Sequence, residues 1–182
     1  MDVTQFQIPR LKGERNFQDF CLKLIRLEWE DNLAELHGRQ GQKQDGVDIT
    51  GTDKSANGYG RSAMQCKGTE SDNPRKLKES DIEKEVAKAK KLDPKIALLI
   101  IAYAGERDQV VQNKAAKVTE EHAKTGLFKV VTWCWQEIYE RASKYPGLIA
   151  ELKSKLGFGP TQTPALDPER PAPAAPLNDI LA

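Results

Sequence analysis

A chain of 182 residues, 38% hydrophobic and 30% charged, has the makings of one folded domain with an appendage. Its formal net charge of +1 leaves no global basic excess to hold nucleic acid, so any grip on phosphates must come from local, salt-sensitive clusters. The longest apolar run, Ile96 to Ala104, is strand-length, and Met1-Asp2-Val3-Thr4-Gln5 does not read as a secretory signal, so a cytoplasmic protein without a membrane partner is expected.

In chain order, Phe17, Phe20, Cys21, Leu24 and Leu27 recur at helical spacing and predict an amphipathic helix over 14–30. A glycine- and glutamine-rich loop follows and delivers the chain into a strand at 46–51. In Val47-Asp48-Ile49 two β-branched residues flank a carboxylate, so a strand would bury Val47 and Ile49 together and turn Asp48 to the opposite face. Residues 53–60 read as a turn, which makes the next strand, Arg61 to Lys67, the second arm of a hairpin.

After a polar loop, Ser80-Asp81-Ile82-Glu83 opens a helix to about Lys91, with Ser80 as N-cap and Glu83 closing a capping box. The run 96–102 suits a central buried strand, a helix follows over 107–124, and 128–134 is the next strand. Two short helices, 136–143 and 148–156, are separated by Pro146-Gly147. Beyond Gly157 six prolines lie among alanine and threonine, so 158–182 is expected to be a flexible tail or linker appended to a domain spanning 1–157. Helices alternating with strands around one hairpin predict an α/β fold with a mixed sheet flanked by helices.

The chemistry sits on the hairpin. Met64 and Cys66 share one face of their strand, and Gln65 and Lys67 share the other. Beside Asp48, that second face gathers a carboxylate, an amide oxygen and an ammonium, the groups needed to hold a divalent cation against a phosphodiester. Elsewhere the signals are blander. Cys21, Cys66 and Cys134 are widely spaced and read as buried free thiols, and His37 and His122 as surface or capping residues. Lys84, Lys88 and Lys91 form a solvated stripe, and Trp133 and Trp135, two apart, read as core.

The run Gly38-Arg39-Gln40-Gly41-Gln42-Lys43-Gln44-Asp45-Gly46-Val47-Asp48-Ile49, together with Gln65-Cys66-Lys67, resembles the PD-(D/E)xK nuclease superfamily in its Mrr-like, Gln-x-Lys branch. Within that branch it is similar to restriction-endonuclease-like effector domains of bacterial antiphage proteins, over roughly residues 14–142. Ala102 to Asp108 and Val130 to Trp135 share the likeness. The resemblance implies a restriction-endonuclease-like fold and a Mg²⁺-dependent DNA endonuclease, Mn²⁺ being a possible substitute. It implies Asp48 as the metal-binding carboxylate and Gln65 as a neutral oxygen donor. The Cys66 backbone carbonyl is a further ligand, and Lys67 orients the attacking water.

Related domains carry a glutamate on the first helix, after an aromatic, at the position that here is Gln18. Glu14, Asp19 or Glu28 stands as the substitute acid, or else the site is weak or inactive. Arg39, Gln42, Gln44 and Arg107 are the expected DNA contacts. A homo-oligomer, or a fused or associated sensor-regulator domain, is the expected partner, and the chain is expected to be the front of a longer polypeptide. The competing reading is a catalytically inactive nuclease fold used for nucleic-acid binding or assembly.

Overall fold

The structure, a computed structural model, describes residues 9–37 and 47–158. Residues 38–46, with Arg39, Gln42 and Gln44, and residues 159–182 lie outside the described residues. In chain order the elements are α1 (Glu14–Glu28), β1 (Glu35–Leu36), β2 (Ile49–Asp53), β3 (Gly60–Lys67) and α2 (Glu79–Ala89). β4 (Leu98–Tyr103), α3 (Gln109–Ala123), β5 (Lys129–Trp133), α4 (Trp135–Ala142) and α5 (Pro146–Lys155) complete it.

The described strands form one mixed sheet in the order β1-β2-β3-β4-β5. The first three are antiparallel neighbours, and β3, β4 and β5 run parallel. This is the α/β mixed sheet flanked by helices that the sequence predicts. The expected hairpin is β2–β3, with Ile49 opposite Met64 and Asp53 opposite Gly60. Parallel neighbours need long crossovers, which α2 and α3 supply.

Side-chain alternation on the strands splits the interior in two. Ile49, Met64, Cys66, Leu98, Ile100 and Ala102 face a core closed by α1, α4 and α5. Ala63, Leu99, Ile101, Tyr103 and Val130 face a second core closed by α2 and α3. β4, buried on both faces, is apolar at all its positions, as a central parallel strand must be. Helix α1 buries Phe17, Phe20, Cys21, Leu24 and Ile25, one continuous stripe. Each such large side chain contributes about 1.5–3 kcal/mol by leaving water. Leu27, expected on that stripe, is 43% exposed, because Ile25 takes the place on the core side. Trp133 and Trp135 both join the first core, and Trp135 packs against the rings of Phe17 and Phe20 at 6.2 and 6.1 Å between centroids.

Several local expectations are corrected. Val47 and Ile49 do not share a face: Val47 lies in the second core and Ile49 in the first. The chain bends at Asp48 before β2 begins, which breaks the alternation. Helix α2 starts earlier than Ser80, with Lys78 as N-cap and the Asp81 carboxylate accepting its backbone N–H at 2.9 Å. Pro146 opens α5 rather than sitting in a break, since its missing N–H is no loss in a first turn. His122 is buried, not superficial, with Nδ1 2.7 Å from the Phe128 carbonyl. All three cysteines are buried and free, as expected. No helix among the described residues is long and apolar enough to cross a membrane.

Candidate active site

The site forms where β2 parts from β3. Asp48 N–H still donates to the Met64 carbonyl at 2.9 Å, the last rung of the hairpin ladder. Beyond it the backbone bends away, and the Asp48 side chain replaces the missing rung. Its Oδ2 accepts the Cys66 backbone N–H at 2.6 Å and the Gln65 amide at 2.5 Å. Asp48 is 3% exposed and Gln65 8%.

A second carboxylate takes the next amide on the same strand edge. Glu14 Oε2 accepts the Gly68 N–H at 2.9 Å. Amides two residues apart on a strand point the same way, about 7 Å apart. Glu14 and Asp48 therefore line one edge side by side. Two glycines permit this. Gly13, the residue before α1, has φ +89, a left-handed conformation that other residues resist, and its N–H bonds the Thr69 carbonyl at 2.9 Å. At Gly68 a Cβ would meet Glu14 Cα and Oε2 at 3.0 Å, so a side chain there would push the carboxylate off.

The electrostatics follow from this crowding. Burial pushes the Asp48 carboxyl above its ordinary range; the Cys66 N–H and Lys67 oppose the shift, and nearby Glu85 adds to it. Burial likewise raises Glu14 against the pull of the Gly68 N–H, and the charge of Asp48 adds to the rise while Lys67 and Arg75 oppose it. Two crowded carboxyls that both resist ionisation are a common signature of a functional site. Cys66 points away into the first core, where burial and neighbouring Cys21 push its thiol far up, so it serves as packing.

Of the acids proposed from the sequence, only Glu14 reaches this cluster. Asp19 pairs with Arg15 at 3.1 Å on the surface. Glu28, about 21 Å along the helix axis from Glu14, accepts from Arg141 at 2.9 Å, Tyr145 at 3.0 Å and Lys144 at 3.3 Å. Those bonds fasten α1 to α4 and to the turn between α4 and α5. Gln18 is half-buried one turn beyond Glu14. Gln65 enters as a donor, with Nε2 directed at Asp48 and, at 3.2 Å, at the Cys66 carbonyl, because a carboxylate only accepts and is met by the NH₂ end of an amide. Arg107 lies beyond the end of β4 and pairs with Glu137 at 3.7 Å.

Sequence reasoning missed Glu85. This acid on α2 is 3% exposed and receives the Lys67 ammonium at 2.7 Å and that of Lys88 at 3.2 Å. The signal was present: Ile82, Glu85, Val86 and Ala89 form the buried stripe of α2, so a charge occupies a core position. Arg75, whose charge Glu14 feels, was missed as well, since it lies in an irregular loop.

Among the described residues no group of three or more His, Cys, Asp or Glu side chains is gathered around a metal position. The oxygens gathered here belong to two carboxylates and the Cys66 carbonyl, whereas Gln65 turns its NH₂ end to them. Such hard oxygen ligands, with two mutually repelling acids, suit Mg²⁺ or Mn²⁺ rather than a thiolate-seeking metal.

No protein-family model matches the chain, and no curated protein is significantly similar to it. Among solved structures it is similar to the MspJI restriction endonuclease in complex with a 27-mer oligonucleotide, at 14% identity and a TM-score of 0.44. That match covers 78% of this chain and 31% of the other, so the chain spans under a third of the length of that protein.

Proposed function

We propose that the chain is a metal-dependent DNA endonuclease of the Mrr-like, Gln-x-Lys type, serving as the effector domain of an antiphage system. The observation that carries this reading is the pair of carboxylates, Glu14 and Asp48, on successive amides of one strand edge beside Gln65 and Lys67. Asp48 and Glu14 hold the cation with the Cys66 carbonyl as a neutral ligand, and Gln65 supplies its oxygen once its amide turns over. Bound there, Mg²⁺ or Mn²⁺ supplies Lewis-acid polarisation of the phosphoryl group and a water that ionises near neutral pH.

The remaining work belongs to the chain. Lys67 lies within the field of both carboxylates and offsets negative charge that develops on the phosphate. Glu14 takes the role that Gln18 cannot. Arg39, Gln42 and Gln44 in the preceding loop, and Arg107, meet the DNA backbone. Modest net charge makes that contact salt-sensitive and leaves room for control by a second copy or by a fused sensor-regulator domain. Cutting both strands of a duplex suits a homodimer acting in the cytoplasm.

Plasmid incubated with the full chain in Mg²⁺, Mn²⁺ or EDTA tests the reading. Nicking or linearisation is expected with either metal and none with EDTA. Lewis-acid stabilisation is worth several kcal/mol, so Asp48→Asn and Glu14→Gln are each expected to slow cleavage by ~100-fold or more. Undiminished cleavage by both variants sinks the assignment.

One observation favours the second reading, an inactive fold used for binding or assembly. The polar groups already have protein partners, Asp48 in Gln65 and Lys67 in Glu85. That reading expects a DNA mobility shift with no cleavage in any metal.

A further inference from the structure

Lys67 leaves β3 on the face covered by α2, and its ammonium is tied to Glu85 Oε1 at 2.7 Å. Glu85 sits among Ile82, Val86 and Ala89, which pack in the second core. A charge at such a position is costly unless paired, and an apolar residue of similar volume would often serve stability as well or better. The helix does not need this acid elsewhere: Asp81 caps its start, and Glu83 pairs with Lys114 across to α3. Glu85 instead faces two ammonium groups, one from the strand of the site and one from Lys88 on its own helix. The Lys67 side chain is 21% exposed and that of Lys88 is 49% exposed, so Glu85 joins an inner lysine to an outer one. Asp48 feels the charges of Lys67, Glu85 and Lys88. The ion pair therefore belongs to the electrostatic field of the site.

We propose that Glu85 is a positioning residue for Lys67. A lysine ammonium rides on a flexible four-carbon stem and spends little time at any one point unless it is held. Glu85 holds it at the strand face beside Asp48 and Gln65. Lys88 keeps the buried carboxylate compensated when Lys67 leans toward a phosphate oxygen. The catalytic consequence rests on the nuclease reading above, whereas the contact itself can be measured without DNA.

The test uses the full chain in two arms. In the first, trace acylation of amines is followed lysine by lysine by mass spectrometry, in wild type, Glu85→Gln and Glu85→Met. The methionine variant fills the core position and keeps the test open should the glutamine variant melt too low. Lys67 is expected to acylate several-fold faster in both variants, with Lys114 unchanged as the internal control. In the second arm, plasmid cleavage in Mg²⁺ is expected to lose roughly 10–100-fold in kcat, the usual range for residues that orient a catalytic group, while KM for DNA holds. Glu85→Asp is expected to recover part of the loss. Unchanged Lys67 acylation, or an unchanged kcat, overturns the proposal. Faster Lys67 acylation in the Glu85 variants, alongside a wild-type chain that cuts no DNA in any metal, upholds the contact and overturns the nuclease reading.

Discussion

Asp48 and Glu14 carry opposing demands in single side chains. Each carboxylate satisfies a strand amide that would otherwise go without a partner, and each is raised from its ordinary value, 3.8 and 4.5, chiefly by burial. A raised carboxyl means that the folded chain binds more protons than the unfolded one just above those values. Its contribution to stability is complete below the unfolded pKa and is lost as pH rises through the folded one. Ionising either group in the folded chain therefore carries a cost. A cation between them removes that cost, so Mg²⁺ is expected to raise the melting temperature at pH 7. Binding at a hundred times Kd corresponds to about 2.7 kcal/mol. The rise is expected to shrink toward about pH 4, where protonation displaces the ion. Scanning calorimetry across pH, with and without Mg²⁺, checks this; a shift of equal size at both ends would place the ion elsewhere.

Among the described strands β5 ends the sheet, and an edge strand presents backbone groups to any passing strand. Thr119 on α3 answers this with one hydroxyl, which accepts the Val130 N–H and donates to the Val130 carbonyl, both at 2.9 Å. His122 Nδ1, one turn further along α3, contacts the Phe128 carbonyl in the same way. Thr119→Val keeps the shape and removes both bonds, so it is expected to cost about 1–3 kcal/mol. Thr119→Ser is expected to restore most of that. Urea unfolding gives the magnitude, and faster amide exchange at Val130 than at Val131 would localise it to the outer edge. Equal stability of the valine variant would mean that water or another strand serves that edge as well.

At the scale of the molecule, a sheet with a core on each face ties the site to both helical layers. Glu14 comes from the layer of α1, Glu85 from that of α2, and Asp48 and Lys67 from or beside the sheet between them. A perturbation of either layer therefore reaches the chemistry. The proline- and alanine-rich segment after Gly159 has little apolar surface to bury by its composition. Removing 160–182 is expected to leave the melting temperature unchanged. A clearly lower value would show that the segment packs on the domain.

By itself the sequence determined the order and type of the main elements, because each rests on local periodicity: the stripe of α1, the apolar run of β4, the alternation in β3. It also brought Asp48, Gln65 and Lys67 into one neighbourhood, since a hairpin between close strands leaves few registers. What it could not decide were contacts between segments far apart in the chain. Glu14, Asp19 and Glu28 were equivalent as letters; only the docking of Gly13 on Thr69 brings the first of them to the strand edge. Lys67 read as part of the catalytic face with no partner assigned to it, and only the packing of α2 on the sheet gave it a buried partner in Glu85. Helix and strand periods fix which way a side chain points from its own element, but what it meets there depends on how the elements pack.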